Sequence, residues 1–207
     1  MEPQRVDDLT RAGFALHAWR LLTQYEQVTK DLSPALRYEA TLTICVLQSL
    51  LTNCWELWKF LNDKKASRVL EPLREYTLSM LAHPEVEVDD SLPGQPDLKA
   101  VLMHVRNAVS HPRMKETDPP TTGYTTVEDG TGYVSRLRFT DSPDLTSKGA
   151  LRTEALERTG GDVNQAHVFS IELPLVVLTA WAKEIAMALA QPVMDNWDSP
   201  ELAALTL

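Results

Sequence analysis

Apolar residues recur at helical spacing through most of this chain, and one later segment switches to strict alternation. Between residues 6 and 29, Leu9, Phe14, Leu16, Ala18, Trp19, Leu22 and Val28 return at roughly helical spacing, which predicts a first helix. Ser33-Pro34 then supplies a capping hydroxyl followed by Pro at a first helical position. From 35 to 62 neither Gly nor Pro interrupts, and Leu42, Ile44, Leu47, Leu50, Leu51, Trp55, Trp58 and Leu61 predict a long helix covered on most sides. Inside it runs a polar stripe of Ser49, Asn53 and Glu56, at offsets of four and three. A third helix is expected over 64–81, with Pro72 near its start or kinking it. The acidic stretch 84–96 holds Pro93, Gly94 and Pro96 and reads as a surface loop.

A fourth helix is expected over 97–110. On an ideal wheel of about 100° per residue, Leu98, Val101, Val105 and Val109 cluster around Leu102. Arg106, Ser110, Asn107 and His111 follow in that order around the other side. Pro112 biases His111 away from the α region, so the imidazole belongs at or just past the last turn. Beyond it, Tyr124 to Val127 and Tyr133 to Phe139 flank Glu128-Asp129-Gly130-Thr131-Gly132, a hairpin signal. Arg136 and Arg138 share the face opposite Leu137 and Phe139. A short helix over 151–158 and a last, strongly apolar helix over 171–190, beginning near Pro174, complete the pattern. The reading is an all-α fold: one domain over 1–207, a bundle of about four to five helices with a β-hairpin inserted near 122–139.

Composition alters this picture little. A chain of 207 residues with 43% hydrophobic and 24% charged residues suits one good-sized globular domain. The formal charge of -9 argues against coating nucleic acid by bulk electrostatics, though not against a local basic site. The first eight residues lack the basic and apolar regions of a secretion signal, and 173–189 is too short and too interrupted to span a bilayer. Cys45 and Cys54 offer neither a disulfide framework nor a metal pair, so a cytoplasmic location is the simplest expectation.

Candidate chemistry narrows to one stretch. Gly130-Thr131-Gly132 lies in a hairpin turn rather than between a strand and a helix, so it is no phosphate loop. His104 and His111 are seven apart and the other His residues are scattered, so neither a metal nor another cofactor is expected. Ser147 and Ser170 lack a nucleophile context. What remains is Arg106 with His111, beside Asn107 and Ser110 on the polar side of a packed helix. Asn53 and Glu56 would need partners if buried, and Arg106 is a candidate for the carboxylate. Arg and His without metal ligands suit transfer to an internal hydroxyl better than hydrolysis by an activated water.

Arg106-Asn107-x-x-x-His111, closing a helix and preceded by a long helix with an internal acidic residue, resembles the signature of the HEPN superfamily, the higher eukaryotes and prokaryotes nucleotide-binding domains. The likeness is strongest to small stand-alone bacterial members from plasmids or defence loci, and covers about residues 10–111, with the final helix as an extension. It implies metal-independent cleavage of RNA by a homodimer in which two motifs converge. Arg106 would hold the scissile phosphate, His111 would move protons, Asn107 would orient the pair or line the interface, and Glu56 would steady Arg106. Arg113 and Lys115, with Arg136 and Arg138, would extend an RNA groove. A toxin or antiviral effector of this kind would need a restraining partner, such as a cognate antitoxin. Two other readings stay open: a non-catalytic helical module using the same face to bind a nucleotide or protein, and a purely structural domain.

Overall fold

The computed structural model describes residues 3–32, 39–53, 67–110, 122–143, 150–161 and 167–195. Among them lie α1 (Pro3–Thr29), α2 (Glu39–Asn53), α3 (Ser67–Leu81), β1 (Glu87–Asp90), α4 (Leu98–Ser110), β2 (Gly123–Glu128), β3 (Val134–Asp141), α5 (Ala150–Thr159), β4 (Phe169–Pro174) and α6 (Leu175–Asp195). The chain divides into two compact units, one of residues 1–77 and 178–207, the other of 78–177.

The first unit is helical. Leu16 and Leu22 of α1, Leu47, Leu50 and Leu51 of α2, Leu73 of α3, and Trp181, Ile185 and Leu189 of α6 are buried in it. Polar ties between helices sit within this apolar material. The Thr43 and Thr179 hydroxyls lie 2.9 Å apart, and the buried Trp181 indole N–H donates to Thr77 Oγ1 at 3.0 Å. Both pairs satisfy groups that would be costly to bury alone. Lys183 pairs with Glu26 at the partly exposed margin.

The second unit overturns the all-α reading. Its centre is a four-stranded antiparallel sheet in the order β1-β4-β3-β2. The hairpin is therefore not an insertion on a bundle but half of a sheet. The other half comes from the stretch read as a loop and from the stretch read as the start of the last helix. Strand β4 alternates Phe169, Ile171 and Leu173 with Ser170 and Glu172, so its apolar side chains fall on one face. Pro174 ends the strand and α6 starts at Leu175 rather than at 171. In register with β4, Leu137 pairs with Leu173, Phe139 with Ile171 and Asp141 with Phe169. That face also carries Val88 and Asp90 from β1 and Tyr124 from β2.

Helix α4 packs against β3 and β2, and α5 packs against α4. The start of α4 is capped by Asp97, whose Oδ1 accepts from the Ala100 N–H at 2.7 Å. Its buried residues are Leu98, Ala100, Val101, Leu102, His104, Val105, Ala108 and Val109, an arc wider than the valine and leucine stripe alone. A smaller cluster of Leu92, Ala100, Leu151 and Ala155, with Met103 against it, seats α5. In the β2–β3 turn, Asp129 Oδ1 accepts from the Thr131 N–H, the Thr131 hydroxyl and the Tyr133 N–H, while Gly132 takes a φ of 80°.

Candidate functional site

The polar residues of α4 meet the sheet at the end of β3. Asp141 closes that strand on the core face and is 1% exposed. Its carboxylate accepts three side-chain donors: His104 Nδ1 at 2.8 Å and Asn107 Nδ2 at 2.9 Å, both on Oδ2, and Thr122 Oγ1 at 3.0 Å on Oδ1. The Thr122 hydroxyl in turn accepts from the Ser142 N–H at 3.0 Å. His104 and Asn107, three residues apart, project from α4 about 60° apart, which lets one carboxylate serve both.

Arg106 is half-buried, and its Nη1 donates to Asn107 Oδ1 at 3.3 Å. Ser110 is exposed, and its hydroxyl donates back to the Arg106 carbonyl at 2.8 Å. Arg106 and Asn107 thus lie side by side, with Asn107 connected to the buried carboxylate. His111, Arg113, Lys115 and Glu56 lie outside the described residues, as does the side chain of Asn53 at the end of α2.

Arg136 and Arg138 stand on the opposite sheet face, away from α4, and do not join this cluster. Between them sits Glu172 of β4, 6% exposed. It takes Arg136 Nε at 2.5 Å and Arg138 Nε at 2.8 Å. Burial raises the Glu172 carboxyl's pKa, but the hydrogen bonds and charges of Arg136 and Arg138 outweigh it and hold the group below the usual glutamate range. Arg136 also donates to the Glu85 carbonyl and faces Glu87 at 3.7 Å. Two cations against one shared carboxylate leave this face less basic than the sequence suggested.

A second histidine–carboxylate pair lies beside the first. His167, which immediately precedes β4, places Nε2 3.2 Å from Asp90 Oδ1. Arg158 Nη2 reaches Asp90 Oδ2 at 2.9 Å and also donates to the Leu92 and Gly94 carbonyls, while its Nε donates to the Pro93 carbonyl. Burial raises the Asp90 carboxyl's pKa, and the hydrogen bonds from His167, Leu92 and Arg158 more than reverse it. The rings of His104 and His167 meet edge-on at 4.9 Å, and His104 stacks on Phe169 at 4.4 Å. Burial pushes the His104 imidazolium pKa below the ordinary histidine value, against the raising influence of Asp141. His104 Nε2 and His167 Nδ1 are buried without a hydrogen-bond partner among the described residues. No cluster of three or more His, Cys, Asp or Glu that could hold a metal occurs among those residues.

Sequence reasoning missed Asp141, His104, Asp90, His167 and Arg158. For His104 a signal was present: it falls among buried positions of α4, next to Asn107 on the wheel. For the carboxylates there was none, because their side-chain partners lie 19 to 77 residues away. No helix among the described residues is long and apolar enough to cross a membrane. Set against known protein families, characterised proteins and solved structures, the chain matches none of them.

Proposed function

We propose that this chain is a metal-independent endoribonuclease of the HEPN type. The observation that carries the reading is the Arg106–Asn107 pair on the last turns of α4, its amide oxygen turned to the guanidinium and its amide nitrogen held by buried Asp141. A guanidinium held beside an oriented amide suits a phosphate whose oxygens gain charge during displacement. In sequence His111 comes directly after Ser110, the last residue of α4, and an imidazole ordinarily titrates near neutral pH.

In this mechanism His111 takes the proton from a ribose 2′-hydroxyl. The 2′-oxygen forms a bond to phosphorus while the bond from phosphorus to the 5′-oxygen breaks. The departing oxygen takes up a proton, giving a 2′,3′-cyclic phosphate and a 5′-hydroxyl. DNA lacks the attacking group. Arg106 binds the phosphate and stabilises its charge, and Arg113 and Lys115 contribute further positive charge. A homodimer doubles the motif and offsets the overall charge of -9 near the substrate. A cytoplasmic toxin or antiviral role, restrained by an antitoxin or regulatory protein, completes the proposal.

One observation favours a second reading, a non-catalytic module that binds a nucleotide or protein. Glu172 neutralises the sheet-face cations that would extend an RNA groove. Two assays separate the readings. Purified wild type, Arg106→Ala and His111→Ala are incubated with total RNA in EDTA. Cleavage by the wild type alone supports the ribonuclease; no cleavage, or equal cleavage by all three, excludes it. An Arg106→Ala chain that keeps its cellular phenotype favours the binding module.

A further inference from the structure

Asn107 stands between a group that can only accept and a group that can only donate. Asp141 Oδ2 lies 2.9 Å from its Nδ2, and Arg106 Nη1 lies 3.3 Å from its Oδ1. A carboxylate has no proton to give and a guanidinium has no lone pair to offer, so one orientation of the amide satisfies both neighbours. The carboxylate itself is fixed. His104 Nδ1 at 2.8 Å shares Oδ2, and Thr122 Oγ1 at 3.0 Å holds Oδ1. His104 and Asp141 are 0% and 1% exposed, so water does not compete for these bonds.

We propose that Asp141 is the positioning residue of the Arg106 site: it sets the polarity of the Asn107 amide and thereby turns an acceptor toward the guanidinium. This rests on the ribonuclease reading only for its effect on rate; the polarity claim stands on the geometry alone. Asp141 does not touch substrate. It acts through Asn107, and His104 and Thr122 keep it from rotating. If the carboxylate became an amide, Asn107 could turn its NH2 toward Arg106, and the guanidinium would lose the acceptor that Asn107 offers. Exchanging the two groups restores the sequence of donors and acceptors. In Asn107→Asp/Asp141→Asn, the new amide at 141 donates to the new carboxylate at 107, which still accepts from Arg106. His104 accommodates the exchange by moving its proton from Nδ1 to Nε2.

The experiment compares wild type, Asp141→Asn, the exchanged double variant and Thr122→Val in EDTA, measuring single-turnover cleavage over a range of RNA concentrations. Asp141→Asn is expected to slow cleavage at saturating RNA by about 10- to 100-fold, the scale seen when a group that orients a functional side chain is lost. KM should stay within about threefold, because phosphate binding in the ground state is largely kept. The double variant should recover most of the rate. Thr122→Val frees Oδ1 while His104 still holds Oδ2, so it should slow cleavage by less than Asp141→Asn does. Nuclear magnetic resonance of each protein without RNA gives the independent readout. In the wild type the Asn107 side-chain NH2 should exchange slowly, and the His104 proton should reside on Nδ1. In the double variant it should reside on Nε2.

An Asp141→Asn protein that cleaves at the wild-type rate, or a double variant no faster than the single, overturns the positioning role. Fast-exchanging Asn107 amide protons or an Nε2–H tautomer of His104 in the wild type overturn the polarity claim, whether or not any variant folds. A wild type that shows the expected spectra but cleaves no RNA refutes the ribonuclease reading and upholds the polarity claim.

Discussion

Lowering the pH below 6.5 should loosen the sheet unit through one buried imidazole. His104 is 0% exposed, stacks on Phe169 at 4.4 Å, and faces Asp141 from β3, His167 from before β4 and Asp90 from β1. Burial lowers its pKa from the ordinary 6.5 despite the two carboxylates. In the unfolded chain the same imidazole takes a proton as pH falls through its ordinary value, while the folded form takes one only at lower pH. The unfolded state then binds more protons, so its free energy drops relative to the native state. This contribution to stability is fully present above 6.5 and is lost as pH falls from there through the folded pKa. The slope is at most about 1.4 kcal/mol per pH unit for one group, or at most about 2 kcal/mol between pH 6.5 and 5. Against a typical domain stability of about 5–15 kcal/mol, that is a large fraction.

The probe must report the correct unit. Residues 78–177 contain no Trp, so intrinsic tryptophan fluorescence would follow the helical unit instead. Hydrogen exchange by mass spectrometry, read on peptides from 98–110 and 169–174, follows α4 and β4 directly. Opening free energies there should fall between pH 6.5 and 5, after correction for the intrinsic rate. His104→Gln keeps an amide donor for Asp141 and cannot titrate, so it should remove the dependence. A wild type whose α4 protection is flat or rises across this window would refute the reasoning, as would a His104→Gln protein with an unchanged slope.

Other perturbations reach separate parts of the structure. Thr77→Val leaves the buried Trp181 indole N–H without its acceptor at 3.0 Å, and chemical denaturation should show a loss of about 1–3 kcal/mol. Glu172→Gln removes the carboxylate between Arg136 and Arg138, so the sheet unit should melt earlier at low salt, with part of the loss recovered when salt screens the two cations. Burial opposes ionisation of Glu172 but its arginine partners win, so the stabilisation it provides is present above the unfolded glutamate pKa near 4.5 and disappears as pH falls through its lower folded value. Arg158→Ala deletes the bonds to Asp90 and to the Pro93, Leu92 and Gly94 carbonyls, and exchange protection of Leu92 and its neighbours should collapse while α4 keeps its own.

What the sequence revealed divides along the range of the interactions. Helix α4 could be read from its own periodicity, because Leu98, Val101, Leu102, Val105 and Val109 bury the same stripe that the wheel brings together. The β2–β3 hairpin was equally local, with its turn chemistry carried by Asp129 and Gly132. Strand β1 was not legible: Glu87-Val88-Asp89-Asp90 has one large apolar side chain, and it becomes a strand by pairing with β4. Strand β4 did carry the alternation of Phe169, Ile171 and Leu173, but the apolar run of α6 directly behind Pro174 obscured it. Those two strands turn the expected bundle into a helical unit and a sheet unit.

The candidate site divides in the same way. Arg106, Asn107 and Ser110 could be selected from spacing on one helix, whereas Asp141 joins them only when β3 lies against α4. His104 looked like an isolated histidine on a wheel, and its role follows from a carboxylate 37 residues away.

The central claim is that the attacking group is the neighbouring 2′-hydroxyl, with Arg106 on the phosphate. A short RNA containing a mapped cleavage position tests it directly, alongside the same oligonucleotide with a single 2′-deoxy substitution at that position. In EDTA the all-RNA strand should yield a 2′,3′-cyclic phosphate and a 5′-hydroxyl, and the substituted strand should remain intact at that position. Cleavage of the substituted strand at the same rate, or ends bearing a 3′-hydroxyl and a 5′-phosphate, would contradict the account.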